Sequence, residues 1–221
     1  MFSKWSLLLP SSIQVVPFEL KGRGKRVQEV AYQNFSEAID DIFDKIGHDL
    51  ADDKYALFGH SLGAKIIFEL AHQIFERKLP KPSHLFFSGS GAPHVPGRDL
   101  KEYSKMSDAQ FVEELLNLGG TPKEFFNSEE LMDFFIPILR SDFLLAEECR
   151  ISVQKSPLPV NITVFAGKEE ELESEQLTGW TECTTKSCSI HFFDGGHFFI
   201  NSCSAQIARL VGQTLILSQN Q

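Results

Sequence analysis

The sequence predicts an α/β domain: a mostly parallel sheet covered by helices on both faces and interrupted by an all-helical insertion. Three observations carry this. Short runs rich in Val, Ile and Phe recur along the 221 residues and are closed by glycines or charges. Between them stand stretches with apolar residues every three or four positions, the period of an amphipathic helix. Residues 97–150 hold only helical patterns. Strands that alternate with helices favour parallel pairing, because each crossover lays a helix on a sheet face.

The elements follow in order. "SIQVVPFEL" (12–20), "YALFG" (55–59), "HLFFSG" (84–89), "VNITVFAG" (160–167) and "SIHFFDG" (189–195) read as buried strands. "YQNFSEAIDDIFDKIGHDL" (32–50), "LGAKIIFELAHQIFERKL" (62–79) and "SAQIARLVGQTLIL" (204–217) read as helices. Within the insertion "SDAQFVEELLNLGG", "TPKEFF" and "SEELMDFFIPILRSDFLLAEE" read as successive helices. Ser107 and Ser128 are expected N-caps, each with Glu or Gln in the next turn. Such an insertion is a candidate lid, with Phe111, Leu115, Phe134, Phe135 and Leu139 expected to face inward and Pro137 expected to end or kink its helix. One domain spanning 1–221 suits the length.

Composition excludes some functions. A net charge of −9 opposes nucleic-acid binding, and no apolar run is long enough to cross a membrane. The N-terminal "MFSKWSLLLPSS" lacks the small-residue cleavage site of a signal peptide, so a cytoplasmic protein is expected. Cys149, Cys183, Cys188 and Cys203 read as buried or idle thiols, with no spacing that suggests a metal site, and no cofactor is implied.

The chemistry centres on Gly59-His60-Ser61-Leu62-Gly63. The G-x-S-x-G pattern is weak alone, but here it joins a strand to a helix. Such a turn lifts the serine hydroxyl above the sheet edge, and the helix N-terminus aims the Leu62 N–H at the same spot, where it can stabilise an oxyanion. The simpler alternative is that Ser61 caps the helix. A serine nucleophile needs a base held by an acid. Among seven histidines, His197 alone follows a strand and two glycines near the end of the chain. His60 stands inside the elbow but is expected to point elsewhere; His48, His72, His84, His94 and His191 lie on helices or strands. For the acid, Glu169, Glu170 and Glu171 follow the strand at 160–167, and Asp194 is a rival placed poorly for holding His197 from behind.

The blocks "FGHSLGA", "LFFSGSGAPH", "LNLGGTP", "PILRSDF", "FAGKEEE", Trp180 and "GGHFFI" together resemble type II, stand-alone thioesterases of nonribosomal peptide and polyketide synthesis. These are α/β-hydrolases related to the medium-chain thioesterase of fatty-acid synthesis. The resemblance implies an α/β-hydrolase fold with Ser61 as nucleophile, His197 as base and Glu170 as acid, where the family has Asp. It implies hydrolysis of acyl or aminoacyl thioesters on the phosphopantetheine arms of carrier proteins; a monomer is expected. A generic esterase or acyltransferase, or a carrier-binding remnant, are the alternatives. "KGRGKR" (21–26) is the densest candidate for a basic docking patch. The resemblance further implies a strand and Gly-rich oxyanion loop ahead of Met1, the strand lying between those at 12–20 and 55–59.

Overall fold

A computed structural model describes residues 2–47, 54–97, 101–120, 126–149 and 155–219. His48, the end of the helix expected at 32–50 and nearly all of "TPKEFF" lie outside the described residues. The sheet has four strands in the order β1 (Ala56–His60), β2 (His84–Ser88), β3 (Asn161–Gly167) and β4 (Cys188–Phe193), all parallel. In register, His60 stands beside Ser88 and Ser88 beside Phe165.

Alternation along the strands divides the core in two. Leu85 and Phe87 of β2 and Ile162, Val164 and Ala166 of β3 face α2 (Leu62–Glu76), whose Ala64, Ile67, Phe68 and Ala71 meet them. Trp180 is stacked on Phe87 at 4.0 Å and donates its indole N–H to the Ser90 carbonyl. Phe86 and Phe165 face the opposite way, against Ile207, Ala208 and Val211 of the last helix (Ser204–Gln219) and against Trp5, from a 3-10 turn at Phe2–Leu7. On the first side, α1 (Phe35–Ile46) adds a layer, packing Ile39, Ile42 and Phe43 against Ile66, Leu70 and Ile74 of α2.

The strand expected at 12–20 is not formed. The segment pairs with no ladder among the described residues, and β1 is the sheet's edge strand there. Its Val and Phe content suggested burial, but Val16 and Phe18 are exposed, and Pro17 has no N–H to donate.

The insertion contains α3 (Asp108–Leu118) and α4 (Glu129–Glu148). Ser107 accepts from the Gln110 amide within a full capping box, and Ser128 accepts from the Leu131 amide, as expected. Phe111 and Leu115 are buried and Leu139 packs against them, but Phe134 and Phe135 are exposed, a correction to the inward stripe. Met132, Ile136, Leu139 and Phe143 make the packed row. Residue 134 lies half a turn from 136 and so faces away. Pro137 stays within α4. It removes one backbone donor there without ending the helix. Beyond it the helix is tied to the body: Ser141 donates to the Tyr32 carbonyl, Lys65 to the Ala146 carbonyl, and the Phe35 amide to Glu148.

"KGRGKR" is an ion-pair clamp. Arg23 makes a two-pronged contact with Asp142 of α4, at 2.8 and 2.7 Å, and Lys21 reaches Glu37 of α1 at 2.8 Å. Arg26 meets both Glu29 and Asp41. Three of its four cations, Lys21, Arg23 and Arg26, are engaged in holding a loop against two helices, while Lys25 is exposed, so most of the segment's charge is already paired within the chain.

At the opposite end of the sheet from the elbow, His84 shares a hydrogen bond with Thr163 Oγ1 at 2.8 Å, and burial pushes its pKa down to about 4. A histidine kept neutral by folding contributes stability that is present above its unfolded pKa, near 6.5, and is lost as pH falls toward the folded value. The unfolding free energy measured in urea is therefore expected to drop between pH 6.5 and 4.5, by on the order of 2 kcal/mol for this ring. His84→Asn should remove its share of that slope and leave the part due to other buried histidines such as His60; a slope identical to the wild type would show that His84 contributes nothing to it.

Candidate active site

Ser61 follows β1 directly and precedes the first residue of α2. Its backbone, φ 56° and ψ −117°, is in a region that residues with a side chain rarely occupy. Gly59 makes the turn possible: a Cβ there would stand 2.1 Å from the Gly63 carbonyl oxygen. Gly63 itself is not required by packing, since a Cβ on it would meet nothing within 4 Å. The Ser61 amide donates to the Ser88 carbonyl at 2.8 Å, which fixes the elbow to β2.

The Ser61 side chain does not cap α2. Its Oγ instead lies 3.0 Å from His197 Nε2, across 136 residues of sequence. His197 Nδ1 is 2.5 Å from Glu170 Oε1. Glu170 sits three residues past the end of β3, its side chain 6% exposed, and its other oxygen accepts from the Gly167 amide at 3.2 Å. The structure thus brings Ser61, His197 and Glu170 together. It leaves the rivals out: Asp194 is exposed and paired with Lys168, and Glu169 and Glu171 are exposed. Leu62 opens α2, where a first-turn N–H has no intrahelical partner and is free to meet an anion beside Ser61. Such an arrangement can deprotonate the serine, hold the resulting imidazolium and stabilise an oxyanion.

Sequence reasoning missed what lies beneath the histidine. His60 does not point away from the site: its ring centroid is 5.1 Å from that of His197, and its Nδ1 is 2.9 Å from Ser88 Oγ. Gly89, with φ +59°, leaves room for it, since a Cβ there would lie 2.6 Å from His60 Cε1. The strand register would have found Ser88, because the residue beside His60 on β2 follows from aligning the two apolar runs. Of the other described histidines, His72 on α2 is bonded to the Phe68 and Ser156 carbonyls, and His94 lies beside Glu182. None of the four cysteines forms a disulfide, and burial pushes the Cys183 and Cys188 thiols up to about 12 and about 11. Among the described residues, no helix is long and apolar enough to cross a membrane.

A thioesterase-domain family profile matches residues 1–215. Linear gramicidin dehydrogenase LgrE of Brevibacillus parabrevis is 33% identical over 218 residues, 97% of this chain and 82% of LgrE. Among solved structures, ClbQ from the colibactin nonribosomal peptide/polyketide pathway superposes with a TM-score of 0.91 at 30% identity, covering 99% of this chain and 92% of ClbQ. RedJ, a thioesterase from the prodiginine pathway of Streptomyces coelicolor, superposes with a TM-score of 0.85 at 32% identity, covering 96% and 79%.

Proposed function

Because this chain belongs to the thioesterase family, we propose that it hydrolyses acyl or aminoacyl thioesters carried on the phosphopantetheine arms of carrier proteins, as an editing enzyme of peptide or polyketide synthesis. The observation that carries the catalytic assignment is the continuous chain Ser61 Oγ, His197, Glu170, at 3.0 and 2.5 Å. In this scheme His197 Nε2 takes the Ser61 proton as Oγ attacks the thioester carbonyl. Leu62 N–H faces the oxyanion, and His197 returns the proton to the departing thiol. Water then attacks the acyl-serine, losing its proton to the same nitrogen, and the acid leaves with Ser61 restored. Glu170 holds the ring with Nε2 toward Ser61 and stabilises the imidazolium.

The carrier-bound substrate is supported by the pathways named for RedJ and ClbQ. Nothing favours the redox activity in the name of LgrE. The glycines after β2 run Gly89-Ser90-Gly91-Ala92-Pro93-His94, and a dinucleotide fingerprint needs a third glycine where His94 stands. We take residues 97–150 as the lid of a single domain, and the enzyme as a cytoplasmic monomer; size-exclusion chromatography and cell fractionation would check the latter two. A generic esterase would share Ser61, His197 and Glu170, so the discriminating experiment is substrate competition. Intact-mass measurement should show an acyl-carrier protein discharged with kcat/KM at least about 10-fold above the same acyl group on a nitrophenyl ester. Equal efficiency on both would favour the generic esterase.

A further inference from the structure

His60 is a polar ring in a place that an apolar residue could fill. It ends β1, is 9% exposed, and lies under His197 with the two rings tilted by 39°. Ser88, fully buried, holds its Nδ1, while its Nε2 is buried without a hydrogen bond. Phe199 closes one side edge-on at 5.8 Å. Gly89 closes another: a Cβ there would meet His60 Cε1 at 2.6 Å and Glu170 Oε1 at 3.3 Å. His60 therefore shares one small volume with both the base and the acid, yet no hydrogen bond links it to Ser61 or Glu170.

We infer that His60, anchored by Ser88, is a positioning residue for the reaction: a ring that supports the face of the His197 imidazole and sets its tilt toward Ser61. The inference rests on the serine-hydrolase function proposed above. Two physical features suit the role. An anchored ring restricts the rotation by which His197 could leave Ser61, and small losses of alignment at a base are costly in rate. The ring is also uncharged when His197 becomes protonated. Burial, and then the charge of His197, push the His60 pKa down to about 3, against a smaller opposing effect of the His197 main chain. The other groups facing His197 are Glu170 from beyond β3, Ser61 from the elbow and Phe198 on its own loop. Asp194, on the same loop, is occupied by Lys168.

The test is steady-state kinetics of His60→Ala, Ser88→Ala and the double variant on a soluble acyl-pantetheine thioester across pH, with melting temperatures in parallel. His60→Ala should lower kcat about 10- to 100-fold while KM stays within about twofold, and displace the acid limb of kcat/KM by at least about 0.3 pH units. Ser88→Ala should lower kcat about 3- to 10-fold, and adding it to His60→Ala should cost nothing more, because the two act as one unit. Ser88→Ala removes a single oxygen and decides the matter should His60→Ala fail to fold. A folded Ser88→Ala with wild-type kcat and an unmoved acid limb overturns the inference. Labelling of the wild type by an alkyl fluorophosphonate keeps the two levels apart. A wild type that is neither labelled at Ser61 nor active overturns the hydrolase assignment and this inference together; an active, labelled wild type with indifferent variants overturns only the role of His60.

Discussion

Ser61→Ala is expected to abolish turnover of acyl-pantetheine thioesters, with kcat falling by at least ~10⁴-fold and the melting temperature unchanged or raised. The loss should be this large because the Ser61 oxygen is the attacking atom, and neither His197 nor Leu62 can act on the acyl group without it. Stability should not suffer, because the Ser61 hydroxyl caps no helix and the residue holds an unfavourable backbone conformation for the sake of its position. Alanine keeps the bond from the residue 61 amide to the Ser88 carbonyl. Measured kcat within tenfold of the wild type would remove Ser61 from the nucleophile role.

Glu170→Gln is expected to cost about 10²- to 10⁴-fold in kcat, with KM little changed. Glu170 Oε1 touches His197 Nδ1 at 2.5 Å. A neutral amide can present its N–H there, turning the imidazole to the wrong tautomer, and it cannot balance the imidazolium that forms as Ser61 attacks. Glu170→Asp retains the charge but draws it back by one methylene, which should cost roughly 10- to 100-fold through misplacement of the ring. Asp194→Asn breaks only an exposed pair with Lys168 and should remain within about threefold of the wild type. The reverse pattern, with Asp194 critical and Glu170 dispensable, would reassign the acid.

The sheet was legible where the chain alternates cleanly. "YALFG", "HLFFSG", "VNITVFAG" and "SIHFFDG" each became a strand within about two residues, but only the inner two are buried as expected: β4 stands at the sheet edge, buries none of its residues and exposes Phe192, because an edge strand lacks a neighbour on one side. "SIQVVPFEL" has the same composition and fails, because burial and pairing are tertiary properties and Pro17 weakens the ladder it would need. The caps Ser107 and Ser128 were legible because capping is local. The inward row of α4 was not, since a helix this apolar offers several stripes and only its partner α3 selects Met132, Ile136, Leu139 and Phe143. In the site, Ser61 and His197 stood out through their glycine-flanked turns. The acid stayed open among three consecutive glutamates until the resemblance chose Glu170, because the direction of a side chain after a strand end is set by the loop. His60 was misjudged for a related reason: in a strained elbow the ordinary alternation of a strand no longer says which way its last side chain points.

The central claim, that Ser61 carries the acyl group from a carrier thioester to water, is tested most directly by quenching the enzyme during turnover of an acyl-carrier protein and mapping the adduct by peptide mass spectrometry. The account predicts the mass of the acyl group on the peptide that contains Ser61, the ester formed during turnover being preserved by a low-pH quench that stops its hydrolysis. An acyl group found on another residue, or a carrier discharged with no adduct and undiminished by Ser61→Ala, would contradict it.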